Sequence, residues 1–312
     1  MIPPATRSAP IQAFVYYTFG VLSFAVVDAA TRLLRVDYDL GTWQITFLTR
    51  IVPLVVALTV TAQATGNPFR LQTKFFKMHM LRGVLVLVTT VTFFAALKYL
   101  PLTDCIVIAF AAPIFVTALS GPMLKEKVGW RRWSAVVVGF AGVAVAIDPT
   151  GTWKGDTGLG IGLVLLSALA YALTLLTLRK LSGKEHTHNL LFYSTAFSVV
   201  VAAIPGILEW QPISWPAAGV MLIQGLASAG GQLAMIRAFR FGEASMLAPI
   251  EFTALIWATA FGLWLWGDLP TAMLLVGAAL IIGANLYIAH REAQNANHKR
   301  FPPVPEHASL PE

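Results

Sequence analysis

Between residues 103 and 123 the chain reads TDCIVIAFAAPIFVTALSGPM, with a single charged residue, Asp104, at its start. The basic residues Lys125 and Lys127 follow directly. A hydrocarbon core about 30 Å thick needs roughly 20 helical residues at 1.5 Å per residue. This run therefore has the length and polarity of a membrane-spanning helix.

Similar runs occupy most of the remaining chain. The sequence predicts ten spans, at 13–34, 42–63, 79–98, 103–123, 131–148, 158–178, 190–208, 216–236, 244–266 and 270–290. The composition agrees, because 57% of the residues are hydrophobic and 12% are charged, about half the charged fraction of a soluble domain. The predicted fold is an all-α integral membrane protein with ten transmembrane helices.

The ten spans divide into two sets of five. The stretch FFAALKYLPLTD (93–104) resembles LAMIRAFRFGEA (233–244), and the Gly-rich stretches at 129–147 and 269–288 also match. Because five is odd, the second copy is inverted in the membrane, an arrangement typical of secondary transporters. We predict a cytoplasmic N-terminal segment at 1–12, repeats at 13–148 and 158–290, and a proline-rich, disordered cytoplasmic tail at 291–312.

The distribution of basic residues predicts the orientation. Of the 22 Lys and Arg residues, seventeen fall in the termini, alternate loops and adjoining helix ends on one side, three fall on the other side, and two, Arg32 and Arg50, lie deeper inside spans. Lys and Arg collect on the cytoplasmic side of membrane proteins. We therefore predict a multi-pass protein of the cell (inner) membrane with both termini in the cytoplasm, and we attribute the net charge of +7 to topology rather than to nucleic-acid binding.

Prolines interrupt corresponding spans in the two halves. Pro53 and Pro205 lie in spans 2 and 7, and Pro113 and Pro249 lie in spans 4 and 9. Each proline lacks an N–H and leaves a carbonyl one turn earlier unpaired, which hydrocarbon does not tolerate. Paired breaks in matching helices favour a binding site at the midplane. The alternative is that proline is simply common in membrane helices.

Charged residues inside the spans are the first candidates for a substrate site. Asp28 lies about 9 Å below the outer end of span 1, and Arg50 lies about 12 Å below the outer end of span 2. Each charge costs about 2.5–3.5 kcal/mol at mid-helix. The two either form the polar wall of a substrate cavity or lock spans 1 and 2 as a structural ion pair. Arg32, one turn from Asp28, is a competing partner.

Span 9 contributes two further candidates. Helical spacing places Glu251 on one face with Ala254, Ala258 and Gly262, a ridge of small residues suited to close packing. Glu251 therefore either hydrogen-bonds a neighbouring helix or carries a proton for coupling, and Asp28 is a second candidate for that coupling. Trp257, on another face, is a candidate stacking surface for substrate.

Polar stripes on two other spans suit a cavity wall and a close helix crossing equally well. Gln224, Ser228 and Gln232 lie along span 8, and Tyr171, Thr174 and Thr177 lie along span 6. We take Tyr171 and Gln232 as candidate substrate contacts. The chain has one cysteine, and its six histidines fall in predicted loops, helix ends or the tail. We therefore predict no metal site and no cofactor.

Two long stretches resemble one known family. These are FFAALKYLPLTDCIVIAFAAPIFVTALSGPMLKEKVGWRRW (93–133) and FGEASMLAPIEFTALIWATAFGLWLWGDLP (241–270), which resemble the two EamA-type repeats of the drug/metabolite transporter superfamily. The resemblance implies a ten-helix carrier with a central cavity lined by helices 1–4 and 6–9 and with helices 5 and 10 at the periphery. It also implies that Glu126 closes helix 4 and that Asp268, in the corresponding place after helix 9, is structural.

The predicted function is secondary transport of a small polar, zwitterionic or aromatic metabolite by alternating access. The arrangement of Asp28, Arg50 and the stretch APIEFTALIW resembles family members that take up riboflavin or S-adenosylmethionine, whereas other members export amino acids and metabolites. No Walker A motif is present. An intramembrane enzyme would need a nucleophile–base pair, metal ligands or paired aspartates at membrane depth, and a scaffold or receptor would need a sensing domain; neither is evident.

Overall fold

The computed structural model describes residues 9–67, 72–124, 129–147, 156–181, 185, 187–241, 247 and 250–300. Every regular element in these ranges is an α-helix. In chain order they are α1 Ala9–Val36, α2 Thr42–Thr65, α3 Phe76–Ala96, α4 Leu102–Ala109, α5 Ala112–Leu124, α6 Trp130–Ile147, α7 Thr157–Leu181, α8 Thr187–Leu208, α9 Trp215–Phe241, α10 Thr253–Trp266 and α11 Ala272–Arg300.

These helices account for the ten predicted spans. Seven apolar segments have the length and hydropathy of a membrane span, and one of them, Leu102–Met123, combines α4 and α5. Three shorter apolar helices, Arg132–Ile147, Phe192–Leu208 and Thr253–Trp266, occupy predicted spans 5, 7 and 9. The prediction of a ten-helix, all-α membrane protein built from two inverted repeats is confirmed.

Helix packing follows the symmetry that an inverted repeat requires. The most extensive contacts join α1 to α9, α2 to α8, α3 to α7 and α6 to α11. Exchange each of the first five spans with its counterpart five spans later. The α1–α9 pair then becomes the α7–α3 pair, and the α2–α8 and α6–α11 pairs are unchanged. The two halves are therefore related by a pseudo-two-fold axis.

Span 4 is interrupted near its middle. The predicted continuous helix over 103–123 ends at Ala109 and resumes at Ala112, because Pro113 cannot donate the hydrogen bond that would continue α4. Asn285 in α11 compensates locally, since its Nδ2 donates to the carbonyl oxygen of Phe110 at 3.0 Å. Span 9 also has a turn, at Phe252. The rings of Phe110 and Phe252 meet edge to face at 5.2 Å, so the two interruptions lie side by side.

The prolines of spans 2 and 7 do not interrupt their helices. Pro53 lies inside α2 and Pro205 lies inside α8. Gly206 allows α8 to approach the α2 backbone, because a Cβ atom there would lie 3.0 Å from the Trp43 carbonyl oxygen. Pro249 and Glu126 lie outside the described residues.

The last helix is longer than predicted. The expected disorder at 291–312 is wrong for residues 291–300, because α11 continues to Arg300. This segment contains Ala, Glu, Gln and Lys, which favour helix, and no proline before Pro302. Residues 301–312 and 1–8 lie outside the described ranges.

Candidate substrate site

The outer end of the bundle, named from the predicted orientation, carries a cluster of four residues. Arg32 Nη1 lies 2.5 Å from Asp268 Oδ2, and the Arg32 guanidinium stacks over Trp266, 4.1 Å from the ring centroid. Trp266 Nε1 donates to Asp37 Oδ2 at 3.1 Å. This outer cluster joins the outer ends of α1 and α10.

Within this cluster, Arg32 pairs with a different acid from the one that the sequence suggested. The sequence offers Asp28, one turn away, but the partner is Asp268, 236 residues along the chain. The expectation that Arg32 competes for Asp28 is therefore wrong, because α1 is rotated so that Arg32 faces the end of α10. Nearby, Lys98 Nζ donates to Asp39 Oδ1 at 2.8 Å, and this hydrogen bond lowers the pKa of the exposed Asp39 carboxyl below its ordinary value.

Asp28, Arg50 and Trp257 form a central layer. Asp28 lies eight residues before the end of α1, and Arg50 lies eight residues after the start of α2. Each is therefore about 12 Å below the outer surface, close to the middle of the membrane. Trp257, nine residues before the end of α10, lies about 14 Å below it.

The opposite charges of the central layer do not pair with each other. Arg50 Nη2 instead donates to the Thr90 hydroxyl in α3. Within the described ranges, oppositely charged side chains pair at Arg32–Asp268 and Lys98–Asp39, and His79 contacts Glu185. The two helices that carry Asp28 and Arg50 barely touch, because α9 packs against both. The structural ion pair is therefore not formed.

The Asp28 carboxylate faces the inside of the bundle. It lies within electrostatic range of Cys105 in α4, a residue with no exposed surface. No hydrogen-bond partner for this carboxylate is found in the part of the chain that the structure describes. Asp28 therefore keeps the capacity to bind a ligand.

A second layer lies deeper and contains Tyr17, Tyr171 and Glu251. Glu251 is fifteen residues before the end of α10, and Tyr171 is fourteen residues after the start of α7, so each lies about 21–22 Å below the outer surface. Both tyrosines lie within electrostatic range of the Glu251 carboxylate. Tyr171 is 41% exposed and Glu251 is exposed as well, although α1 and α7 flank them. Helix packing therefore leaves both side chains accessible.

The turn at Phe252 explains why Glu251 departs from its predicted face. Ala258 and Gly262 are buried as expected, and a Cβ atom on Gly262 would lie 3.4 Å from Thr103 Oγ1 in α4. The ridge of small residues thus packs on α4. Glu251 precedes the turn, so it does not continue that ridge.

Trp257 combines an apolar contact with an unused donor. Its ring packs against the cluster that contains Tyr17 and Ile250. Its indole N–H is buried and has no acceptor among the described residues. Trp257 therefore keeps one donor that the described residues do not use.

The polar stripe of α9 divides between packing and the interior. Gln224 is buried and donates to the Thr31 hydroxyl at 2.6 Å, so it stabilises the crossing of α9 and α1. Gln232 is only half-buried, and its single recorded bond, to Ser228 Oγ, is 3.5 Å long. Gln232 therefore remains a candidate contact.

Sequence comparison decides the family. The pattern of the EamA-like transporter family matches residues 13–147 and 158–289. The chain belongs to the EamA-like transporter family. The resemblance in its two repeats is thereby confirmed, and the family places it among transporters rather than enzymes.

Three relatives of this EamA-like transporter carry transport names. It is 26% identical over 293 residues to the riboflavin transporter of Vibrio cholerae, covering 93% of this chain and 97% of the relative. It is 26% identical to the S-adenosylmethionine uptake transporter of Rickettsia prowazekii, covering 80% and 81%. It is also 26% identical to the pseudopaline exporter CntI of Pseudomonas aeruginosa, covering 86% and 90%.

A crystal structure with 17% sequence identity shares the fold. The TM-score is 0.60, and the superposition covers 92% of this EamA-like transporter and 99% of the other chain.

Sequence reasoning missed a polar network at the inner end of this EamA-like transporter. His79 has no exposed surface, its Nε2 lies 3.3 Å from Glu185 Oε2, and its ring stacks on Tyr193 at 4.7 Å. Arg82 Nη1 donates to the Leu190 carbonyl at 2.9 Å. The predicted start of span 3 at residue 79 placed Arg82 at the membrane edge, whereas α3 begins at Phe76. An earlier helix start would have revealed Arg82 as a charge inside the span.

Proposed function

We propose that this EamA-like transporter is a secondary carrier that moves a small polar, zwitterionic or aromatic metabolite across the cytoplasmic membrane by alternating access, with both termini in the cytoplasm. The observation that carries the proposal is the central layer. Asp28 and Arg50 lie at the same depth, carry opposite charges and do not pair with each other. A zwitterionic ligand supplies the missing counter-charges.

Each residue of the proposed site has a chemical role. Asp28 accepts hydrogen bonds from a ligand ammonium group, and Arg50 donates to a ligand carboxylate. Trp257 stacks on an aromatic or apolar part and donates its free indole N–H. Tyr171 and Gln232 line the deeper part of the path.

The difference between the two ends of the bundle supports alternating access. The outer cluster joins α1 to α10 above the central layer, whereas the exposed surfaces of Tyr171 and Glu251 lie in the inner half. In this interpretation the described state is closed to the outside. Opening of the outer end requires the Arg32–Asp268 pair to separate.

We propose uptake as the direction and keep export as the second candidate. The relatives include an uptake transporter for S-adenosylmethionine and an exporter for pseudopaline. Comparison of metabolite concentrations inside and outside cells with and without this gene separates the two. Uptake predicts a lower internal concentration without the gene, and export predicts a higher one.

Proton coupling is a further part of the proposal, with Glu251 and Asp28 as the candidate carriers. A carboxyl group that faces internal space can bind a proton in one state and release it in the other. We expect Glu251→Gln to make uptake independent of an imposed pH gradient. Retention of the wild-type dependence in both Glu251→Gln and Asp28→Asn would reject proton coupling through these residues.

The test of the site uses purified protein in liposomes and radiolabelled riboflavin, S-adenosylmethionine and amino acids. We expect Arg50→Ala and Trp257→Ala to abolish uptake of whichever compound the wild type transports. Lys98→Ala is the matched control, because it removes a basic residue from the outer loop and leaves the interior unchanged. Wild-type rates in both interior variants, at equal insertion, would refute the site.

A further inference from the structure

The Arg50 guanidinium is held by the protein at a single nitrogen. Its Nη2 group donates to the Thr90 hydroxyl in α3, and Thr90 is the one hydrogen-bond partner of Arg50 among the described residues. A guanidinium has five N–H groups, and this bond uses one of them. Arg50 is half-buried, and its other four N–H groups are not used by the described part of the chain.

The Thr90 hydroxyl is itself fixed. It donates its hydrogen to the Val86 carbonyl oxygen one turn earlier, at 2.9 Å, so only its lone pairs are left for Arg50. Thr90 is buried and lies six residues before the end of α3, about 9 Å below the outer surface. Because side chains tilt toward the N-terminus of their helix, the Arg50 side chain reaches this depth from α2. The hydroxyl therefore accepts from Arg50 in one direction.

The backbone that carries Thr90 is tied to a third helix. Ser167 in α7 is buried and donates to the Thr89 carbonyl oxygen at 2.8 Å, and Tyr171 follows Ser167 by one turn. Among the described helices, α3 packs against both α2 and α7, whereas α2 and α7 make no comparable contact with each other. The position of Arg50 relative to Tyr171 is therefore set through α3.

A guanidinium held at Nη2 presents a defined edge to a ligand. Four of its five N–H groups form two edges of two parallel N–H groups each, and Nη2 contributes one hydrogen to each edge. Thr90 therefore occupies one edge and leaves the other complete. A complete edge matches the two oxygens of a carboxylate, whereas a carboxamide offers one acceptor oxygen.

We propose that Thr90 is a positioning residue for substrate recognition, which orients Arg50 so that the free edge of its guanidinium meets a ligand carboxylate. The site then prefers a carboxylate to the matching amide. This assignment rests on the proposed function, because it concerns how a residue of the same site is held.

Phenylalanine and phenylalaninamide are the probes for this role. Phenylalanine carries the ammonium group, the carboxylate and the aromatic ring that the proposed site requires, and in the amide a neutral carboxamide replaces the carboxylate. Affinity is measured from the rise in the thermal unfolding midpoint of the detergent-solubilised full chain as each compound is added. We expect the wild type to bind phenylalanine at least about tenfold more tightly than the amide, the factor that corresponds to 1.4 kcal/mol.

Variants of Thr90 separate positioning from folding. Thr90→Val keeps the shape and removes the acceptor, so we expect phenylalanine to bind at least about fivefold more weakly, with less than about a twofold change for the amide. Thr90→Ser restores the hydroxyl and should recover most of the affinity. Thr92→Val is the matched control, since in the described chain the Thr92 hydroxyl bonds to the backbone of its own helix. It should bind both probes as the wild type does.

A double substitution shows whether Thr90 acts through Arg50. Arg50→Lys retains the charge but has no edge of two parallel N–H groups, so adding Thr90→Val to it should change the phenylalanine affinity by less than about twofold. A further loss as large as in the wild-type background overturns the positioning role. An equal loss of affinity for both probes in Thr90→Val also overturns it.

The remaining outcomes distinguish this role from the site as a whole. Wild-type affinity for phenylalanine in Thr90→Val, together with loss of binding in Arg50→Ala, overturns the positioning role and still supports the proposed function. Undiminished binding in Arg50→Ala overturns the site itself and with it the role of Thr90. A wild type that binds phenylalanine no more tightly than the amide overturns the positioning role as well.

Discussion

The outer cluster and the central layer each contain an aspartate and an arginine, yet they use these residues differently. In the outer cluster Arg32 and Asp268 lie 2.5 Å apart and an indole ring covers the guanidinium. In the central layer Asp28 has no partner in the described chain, and Arg50 reaches only a threonine hydroxyl. The paired charges join two helices, whereas the unpaired charges remain available to a ligand.

The difference has an energetic basis. A charge removed from water needs a counter-charge or several hydrogen bonds, because desolvation costs several kcal/mol per ion. The outer cluster supplies these within the protein. The central layer lacks such counter-charges within the described chain, so the proposed site requires water or substrate beside its charges.

The largest expected effect is a loss of transport, and it should distinguish the central layer from the outer cluster. Asp28→Asn removes a charge-assisted hydrogen bond to substrate, which is worth about 1.5–3 kcal/mol, so we expect a loss of uptake of roughly 10- to 150-fold. The thermal unfolding midpoint should not fall, because no internal partner is lost. A fall in the midpoint comparable with that of an outer-cluster variant would contradict the distinction.

The next effect is on stability, and it belongs to the outer cluster. Arg32→Ala leaves Asp268 beside Asp104 without its counter-charge, and we expect the free energy of unfolding to fall by about 2 kcal/mol. Thermal unfolding of the detergent-solubilised protein measures this change. Asp268→Asn added to Arg32→Ala should cost little more, since the two residues share one interaction; full additivity would mean that they act independently.

A smaller effect should separate the two functions of Trp257. Trp257→Phe retains an aromatic face but removes the indole N–H that has no internal acceptor. Loss of one hydrogen bond to substrate, worth about 1 kcal/mol, should weaken substrate affinity about fivefold, far less than Trp257→Ala. Direct binding measurements on both variants test this, and equal losses would show that the N–H contributes nothing.

The smallest effect is expected at the Lys98–Asp39 pair, because it is exposed to solvent and salt screens the attraction between its charges. The pKa of Asp39 is lowered in the folded protein, so its stabilising contribution is present at neutral pH and is lost as the pH falls through that lowered value. Thermal midpoints of the wild type and Lys98→Ala should therefore differ slightly at pH 7 and coincide in strong acid. A difference that grows on acidification would reverse the expected sign.

The sequence predicted the spans well because a membrane imposes a simple rule on length and polarity. It also identified Asp28, Arg50, Glu251 and Trp257 as unusual, since polar groups are rare at membrane depth. It did not predict which face of each helix turns inward. That rotation is set by contacts between distant parts of the chain, such as Gly231 of α9 against Ser23 of α1.

The pairing of charged side chains was the least predictable feature, because it also depends on contacts between distant parts of the chain. Helical spacing proposed Asp28 for Arg32 because it considers only neighbours on one helix, whereas the partner follows another helix 236 residues away. His79 and Glu185 are 106 residues apart, and neither stands out in the sequence. The turn at Phe252 changes the direction of Glu251, and uniform helical spacing does not anticipate it.

The packing of the two repeats bears on how such a chain could arise. Every one of its most extensive helix pairs joins the first five spans to the last five, and the edge of Phe110 is covered by Phe252 from the opposite half. A single ancestral unit of five helices would have exposed these faces to lipid. A chain with only one repeat would need a second, oppositely inserted copy to cover these faces.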